Sequence, residues 1–277
     1  QETARPGYYA VRLKKYGVKC EMTSTLRSSR ERYTFPKGEG HILINIGDGL
    51  TNEVGGSVRR VSDTEIEGFR LLGTFCYNPQ AVFPMYFVVR VNKKPSSSGF
   101  WKLQPKTGGA QSQWDPDYGK YKLYTHYGRD LAGDRVGCFF NYDFTDSTAV
   151  EVSVGVSFVS IKNARENLNA EQRGRSFEDI ARQADNEWEK TLGAITVEGG
   201  TEAQKRVFYT ALYHTQLEPC VLQDVNGEYP RMESDSIGHT DGTRYTVFSL
   251  WDTYRNLHQL ETLLYPDRQV EMVRSMI

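Results

Sequence analysis

Up to about residue 160 the chain repeats with a period of two, and beyond that point with the period of a helix. Val18–Leu26 alternates apolar or β-branched residues with polar ones, and Gly7–Leu13, Val58–Val61 and Glu65–Phe69 do so over shorter stretches. His41–Ile46, Val82–Val91, Gly137–Phe144 and Val150–Val156 are runs of strand length, with turn residues such as Gly47-Asp48-Gly49 between them. Pro84 lacks a backbone donor, which suits a sheet edge or a bulge. Residues 93–134, with Ser96-Ser97-Ser98-Gly99 and Gly108-Gly109, read as loop-rich. Many short strands with no helix between them bury their apolar faces against another sheet, so residues 1–160 are expected to form an antiparallel β-sandwich in a chain that is mainly β with α.

The change of period sets a helical linker over 161–200 and an all-helical region over 201–277. Ser176-Phe177-Glu178-Asp179 has the spacing of a capping box; Ile180, Ala184, Trp188 and Leu192 follow at helical intervals, and Gly193 supplies a stop. Thr201-Glu202-Ala203-Gln204 is a second box, opening a helix with Val207, Phe208, Ala211, Leu212 and Leu217, and Pro219 lies just beyond. Residues 223–245 read as a long connection, and connections of that length in a compact fold are often functional. Glu228, Arg231 and Glu233 are the candidates within it, against the plainer reading of solvated loop charges. Ser249 is placed to cap a third helix with Leu250, Tyr254, Leu257 and Leu264 on one face, and Pro266 starts a fourth. The run Glu271–Ile277 has no stop signal, and with Gln1 in front it sets the expectation of a piece of a longer polypeptide.

Charge is balanced, with 34 Lys+Arg against 35 Asp+Glu, so nothing electrostatic calls for nucleic acid or an anionic membrane as partner. No window approaches the apolar length of a membrane span. Cys20, Cys76, Cys138 and Cys220 are far apart and form no CxxC pair; they read as single buried thiols rather than a zinc site or a disulfide scaffold. The 17 Tyr and 4 Trp suit sugar stacking and ordinary sheet cores alike.

No self-contained catalytic signature is present: no GxSxG, HExxH, P-loop or GxGxxG after a strand. His41, His126, His214, His239 and His258 do not pair at metal-ligand spacing, and His214 and His258 read as packed or capping residues within helical patterns. The most informative segment is Tyr245–Arg255. Asp252 and Arg255 stand three apart, on one face of the expected helix. A carboxylate accepts hydrogen bonds from vicinal hydroxyls, a guanidinium donates to them, and the Trp251 indole can cover the apolar face of a sugar ring. Two plainer readings compete: Ser249-x-x-Asp252 is itself a capping box, and Trp251 fits a core position.

Several ordered blocks resemble glycoside hydrolase family 92. They are Pro6-Gly7-Tyr8-Tyr9 with Glu21–Arg27 and Arg32–Pro36; Val154–Arg165 with Asn167-Leu168; Glu198–Thr201 with Phe208–His214; and Phe248–Arg255 with Leu257-His258 and Pro266. They run in the family's order over nearly the whole chain.

The resemblance implies an N-terminal β-sandwich, a helical linker and the first helices of an (α/α)6 barrel. It implies an exo-acting, calcium-dependent α-mannosidase that removes terminal α-linked mannose, often α-1,2, with inversion. Inversion needs a carboxylic acid at the leaving oxygen and a carboxylate activating water, about 6.5–9.5 Å apart. In the family both lie beyond the position of Ile277, so no catalytic residue is expected in this chain. Calcium belongs to the complete enzyme and is not expected to be held here. Trp251, Asp252 and Arg255 carry over as substrate-binding residues, Asp252 as the one that contacts mannose in the catalytic subsite. The implied partners are a mannose-containing oligosaccharide or N-glycan and the remainder of the same polypeptide, and the implied location is exported, periplasmic or at the cell surface. Preference among α-1,2, α-1,3, α-1,4 and α-1,6 linkages is left open. The alternative is a stand-alone carbohydrate-binding or scaffolding sandwich; against it, the terminal helices would expose apolar faces without partners.

Overall fold

A computed structural model describes residues 2–48, 55–73, 82–104, 119–125, 130–232 and 234–277. Gly49, Cys76, Gly108-Gly109, His126 and Glu233 lie outside them. The first part is a β-sandwich. Its strands are β1 (Glu2–Arg5), β2 (Tyr8–Leu13), β3 (Val18–Ser24), β4 (Ser28–Phe35), β5 (Gly38–Asn45), β6 (Gly56–Arg60), β7 (Glu65–Leu72), β8 (Phe83–Val91), β9 (Ser97–Leu103), β10 (Tyr121–Tyr124), β11 (Asp130–Gly133), β12 (Val136–Phe144) and β13 (Thr148–Ser157). One sheet runs β1-β2-β3-β4-β13-β8-β7-β6-β11 and the other β10-β9-β12-β5, with antiparallel pairing throughout.

Alternation along the strands decides what goes inside. Phe87, Val89 and Val91 of β8, Val150 and Val152 of β13, and Val18 and Cys20 of β3 meet Ile42, Phe100, Cys138, Phe140 and Tyr142 of the smaller sheet in one apolar cluster. Within the stretch read as loop-rich, Ser97, Ser98 and Gly99 lie in β9 and pair with β12. Gly99 is needed there, since a Cβ would stand 2.6 Å from the Phe139 ring. Cys20 and Cys138 are buried free thiols, and Cys220 is half-buried.

The large sheet is covered on its other face too. Helices α1 (Ile161–Gln172) and α2 (Phe177–Leu192) pack there, α1 on β13 and β8, α2 on β3 and β4. Val88 points to this side and meets Ala164 and Leu168. Gly155 lets α1 come close, because a Cβ there would be 2.4 Å from the Ala164 carbonyl oxygen and 2.6 Å from the Leu168 Cβ. Phe177, Ile180 and Ala184 of α2 are buried along the same seam. Polar contacts run beside them: Arg32 bonds Glu21 and Glu178 and lies 4.2 Å over the Phe177 ring, Arg30 bonds Glu151 and Gln172, and Arg165 bonds Glu65 and Glu67. β4 escapes a reading based on apolar period, because its contacts with the helices are made by Arg30 and Arg32.

The helical part continues with α3 (Glu202–His214), a ribbon of β14 (Cys220–Val221) and β17 (Tyr245–Thr246), a hairpin of β15 (Glu228–Pro230) and β16 (Ile237–His239), and helices α4 (Leu250–Thr253), α5 (Leu257–Leu264) and α6 (Pro266–Met276). The connection 223–245 is therefore built of short strands. Both early capping boxes form: Ser176 with Asp179 and Thr201 with Gln204 satisfy each other's backbone donors. Gly193 ends α2 with φ −70°, so the stop uses no left-handed residue. Leu217 falls beyond the end of α3, and Val207 and Phe208 are exposed. Among the described residues no helix is long and apolar enough to cross a membrane.

Candidate active site

The Tyr245–Arg255 segment leaves the fold from a two-stranded ribbon. β14 pairs with β17 as Cys220↔Thr246 and Val221↔Tyr245, and the Leu222 amide donates to the Arg244 carbonyl at 2.8 Å. The outer side of the ribbon is held by α6: the Thr243 amide donates to Glu271 Oε2 at 2.8 Å and the Tyr245 amide to Ser275 Oγ at 2.9 Å. Its inner side is held by Gln223, whose side chain accepts the Arg244 amide at 2.8 Å and donates to the Gly242 carbonyl at 3.3 Å.

Beyond the ribbon, Val247 takes φ 64°, and Asn256 takes φ 80°. A β-branched residue in the left-handed region is costly, about 1–3 kcal/mol, and such strain persists where the surroundings impose it. The two residues bracket the motif, and between them α4 is a single turn. The expected continuous helix from Leu250 to Leu264 is therefore broken at Asn256, and Arg255 lies outside the turn that holds Asp252. The expected face of Leu250, Tyr254, Leu257 and Leu264 does not form a buried stripe, since Leu250 and Tyr254 are exposed.

Among the described residues the segment forms neither a serine cap nor a buried indole. Ser249 makes no side-chain cap to the α4 backbone; its hydroxyl donates to Asp252 Oδ2 at 2.5 Å. Trp251 is 89% exposed. Asp252 and Arg255 are exposed as well. One short segment thus presents an indole, a carboxylate and a guanidinium to solvent.

Under it lies a polar cluster that apolar periodicity does not flag. Glu261 is fully buried; Gln216 Nε2 donates to its Oε1 at 2.6 Å, and Arg268 Nε stands 3.8 Å from its Oε2. Burial pushes the Glu261 carboxyl above the usual carboxylate range, with Arg268 and Gln216 opposing. His258 Nδ1 pairs with Gln269 Oε1 at 3.1 Å, while His258 Nε2 and Thr253 Oγ1 are buried without a partner. The signal in the sequence is a single acid inside the apolar pattern Leu257, Leu260, Leu264. A separate cleft of about 810 Å³ opens where sandwich, linker and helices meet, lined by Thr25, Glu171, Trp188, Gln216, Tyr245 and Arg268 among others; Trp251, Asp252 and Arg255 do not line it.

Among the candidates in the 223–245 connection, Glu228 is tied down: it accepts from Asn163 Nδ2 at 2.8 Å and Asn226 Nδ2 at 3.1 Å. Those amides, with Lys162 and His239 nearby, hold its carboxyl below the usual range. Arg231 is exposed. Among the described residues no three His, Cys, Asp or Glu side chains converge as a metal-binding cluster.

Two family models match this chain: residues 1–157 match the Glycosyl hydrolase family 92 N-terminal domain, and residues 163–277 the Glycosyl hydrolase family 92 catalytic domain. No curated protein matches. The chain is similar to the family GH92 α-mannosidase BT3965 from Bacteroides thetaiotaomicron at 30% identity and a TM-score of 0.84, covering 99% of this chain and 35% of that one. A structure of that protein in complex with mannoimidazole matches at 30% identity and a TM-score of 0.83, over 99% of this chain and 34% of that one. The inverting mannosidase BT2199 from Bacteroides thetaiotaomicron VPI-5482 shares the fold, at 24% identity and a TM-score of 0.82, over 99% of this chain and 34% of that one. The chain therefore spans about a third of the length of the solved structures it matches.

Proposed function

This chain belongs to glycosyl hydrolase family 92, and on that premise we propose that it is the sandwich and the opening of the helical catalytic domain of an exo-acting α-mannosidase. The reaction is removal of terminal α-linked mannose, α-1,2 by preference, from an oligosaccharide or N-glycan, with inversion and with calcium. The general acid, the base and the calcium donors belong to residues beyond Ile277, the helical part to an (α/α)6 barrel, and the enzyme is exported to the periplasm or the cell surface.

The observation that carries the site is the exposed Trp251-Asp252 pair, set between Val247 and Asn256 in a turn that Ser249 does not cap. In this reading Asp252 accepts hydrogen bonds from mannose hydroxyls, Trp251 covers the ring and Arg255 donates. The mannoimidazole complex of the relative supports mannose as the sugar. The exposed Val207, Leu250 and Leu263 favour a larger helical domain over a stand-alone binding module.

Mannose release from α-1,2-mannobiose tests the reading, for the 277-residue chain and for the complete enzyme, with calcium and with a chelator. Release by the complete enzyme alone, abolished by the chelator, is the expected result. Release by these 277 residues alone would place the acid and base within them and overturn the division proposed. Asp252→Ala in the complete enzyme is expected to lower kcat/KM by about 10- to 100-fold, the worth of hydrogen bonds to a charged group. Wild-type turnover would remove Asp252 from the site.

A further inference from the structure

The buried carboxylate of Asp224 joins the sandwich to the ribbon that carries the candidate site. Asp224 Oδ2 accepts from Ser157 Oγ at 2.6 Å and from Asn163 Nδ2 at 2.8 Å, and Oδ1 accepts from Asn167 Nδ2 at 2.6 Å. Ser157 is the last residue of β13, and the two asparagines lie on α1. All four are buried, at 2–3% exposure or less. Asn167 is doubly committed, because its Nδ2 also donates to the Val156 carbonyl at 2.8 Å and its Oδ1 accepts the Val225 amide at 2.9 Å.

The neighbours of Asp224 extend the joint. Arg27, in the turn between β3 and β4, donates from Nε to the Gln223 carbonyl at 2.6 Å. Gln223 in turn holds Gly242 and Arg244, and β17 follows at once. Residues 223–225 are thus bound on one side to the sandwich and α1, and on the other to the strand that leads into Val247 and the Ser249–Arg255 segment. A buried carboxylate met by neutral donors costs desolvation that apolar packing would avoid. In exchange it fixes one register, because a shifted ribbon would leave the Asp224 carboxylate buried without its three donors.

We propose that Asp224 is a positioning residue for the glycosidase reaction: anchored by Ser157 of the N-terminal domain and by α1, it sets the place of the segment that carries Trp251 and Asp252. This rests on the reading of Asp252 as the sugar contact. The effect passes through the Gln223 bridge and β17, so Asp224 itself does not touch the sugar.

The test is steady-state mannose release from α-1,2-mannobiose by the complete enzyme, as kcat and KM separately and across pH, beside thermal unfolding. The variants are Asp224→Asn, Ser157→Ala and Asp252→Ala. Asp224→Asn puts a donor against the Asn167 amide, and misplacing a contact by about 1 Å can cost on the order of 100-fold. The expected result is a loss of about tenfold or more in kcat/KM for folded Asp224→Asn, with a pH profile of unchanged shape. Ser157→Ala gives a smaller loss in the same direction.

Folded Asp224→Asn and Ser157→Ala with kcat/KM within about twofold of wild type, beside a crippled Asp252→Ala, would overturn the positioning role and leave the site reading intact. Wild-type turnover in Asp252→Ala would sink the site reading, and this inference with it. Should Asp224→Asn fail to fold, Ser157→Ala decides alone: loss of kcat/KM at an unchanged melting temperature supports the role, and loss of folded protein at wild-type specific activity refutes it.

Discussion

Ser249 gives its hydroxyl hydrogen to Oδ2 of Asp252 at 2.5 Å, and so spends on a side chain the group that its spacing assigns to the helix backbone. A serine that truly caps loses about 1 kcal/mol on change to Ala. Ser249→Ala is therefore expected to shift stability by less than about 0.5 kcal/mol, as for a surface position. Urea unfolding checks this. A loss of cap size would mean that the hydroxyl holds α4 after all.

Glu21 lies under α2 with Arg32, Lys19 and Tyr8 around its carboxylate. Burial acts to raise its pKa, but the hydrogen bonds from Arg32, Lys19 and Tyr8 outweigh it and hold the carboxyl at about 2. The folded value is below the unfolded one, so the stabilisation is present above the ordinary glutamate range and disappears as pH falls toward 2. It amounts to about 3 kcal/mol. The gap in unfolding free energy between wild type and Glu21→Gln is expected to shrink steadily on acidification. A gap that is constant with pH would refute the ionised assignment.

Glu261 has the opposite sign. Its folded pKa is raised by burial, so its contribution is complete below the ordinary carboxylate range and is lost as pH rises through the raised value. Relative to Glu261→Gln, the wild type is expected to lose stability as pH rises above the ordinary carboxylate range. Thermal unfolding of both proteins across that rise reads the trend, and a wild type that gains on the variant with rising pH would show that Arg268 prevails over desolvation.

Gly155 faces the backbone of α1 at a distance no Cβ can share. Gly155→Ala is expected to cost about 1–3 kcal/mol, because the Ala164 carbonyl cannot move without its helix. Faster proteolysis within 161–192 should accompany the loss. An unchanged melting temperature would mean that α1 shifts freely on the sheet.

The sandwich was legible because its strands carry their burial in apolar alternation: Val18 and Cys20, Phe87 to Val91, and Val150 and Val152 enter one cluster. The starts of α2 and α3 were legible because Ser176 and Thr201 cap locally, within four residues. β4 was hidden, and the start of the first linker helix was not marked, for a common reason. Arg30, Arg32, Asn163, Asn167 and Gln172 make contacts whose inward placement depends on partners far along the chain. At the site, the motif Trp251-Asp252 could be picked out from its residue types, but its form could not. The break at Asn256 is a left-handed conformation that no local pattern announces, and the burial of Glu261 is set by Gln216 and Arg268, which arrive from other elements.

The polar joint around Asp224 bears on how such chains can be recombined. Greasy surfaces tolerate exchange, since one hydrophobic face fits another of similar shape. This joint draws Ser157 from one element, Asn163 and Asn167 from a second and Asp224 from a third. A sandwich grafted from a relative onto these helices would bring only the first of them. Chimeras cut between Ser157 and Ile161 should hence fail unless the grafted sandwich carries a serine at position 157, and shuffling of the domains should succeed with the crossover placed after Val225 instead.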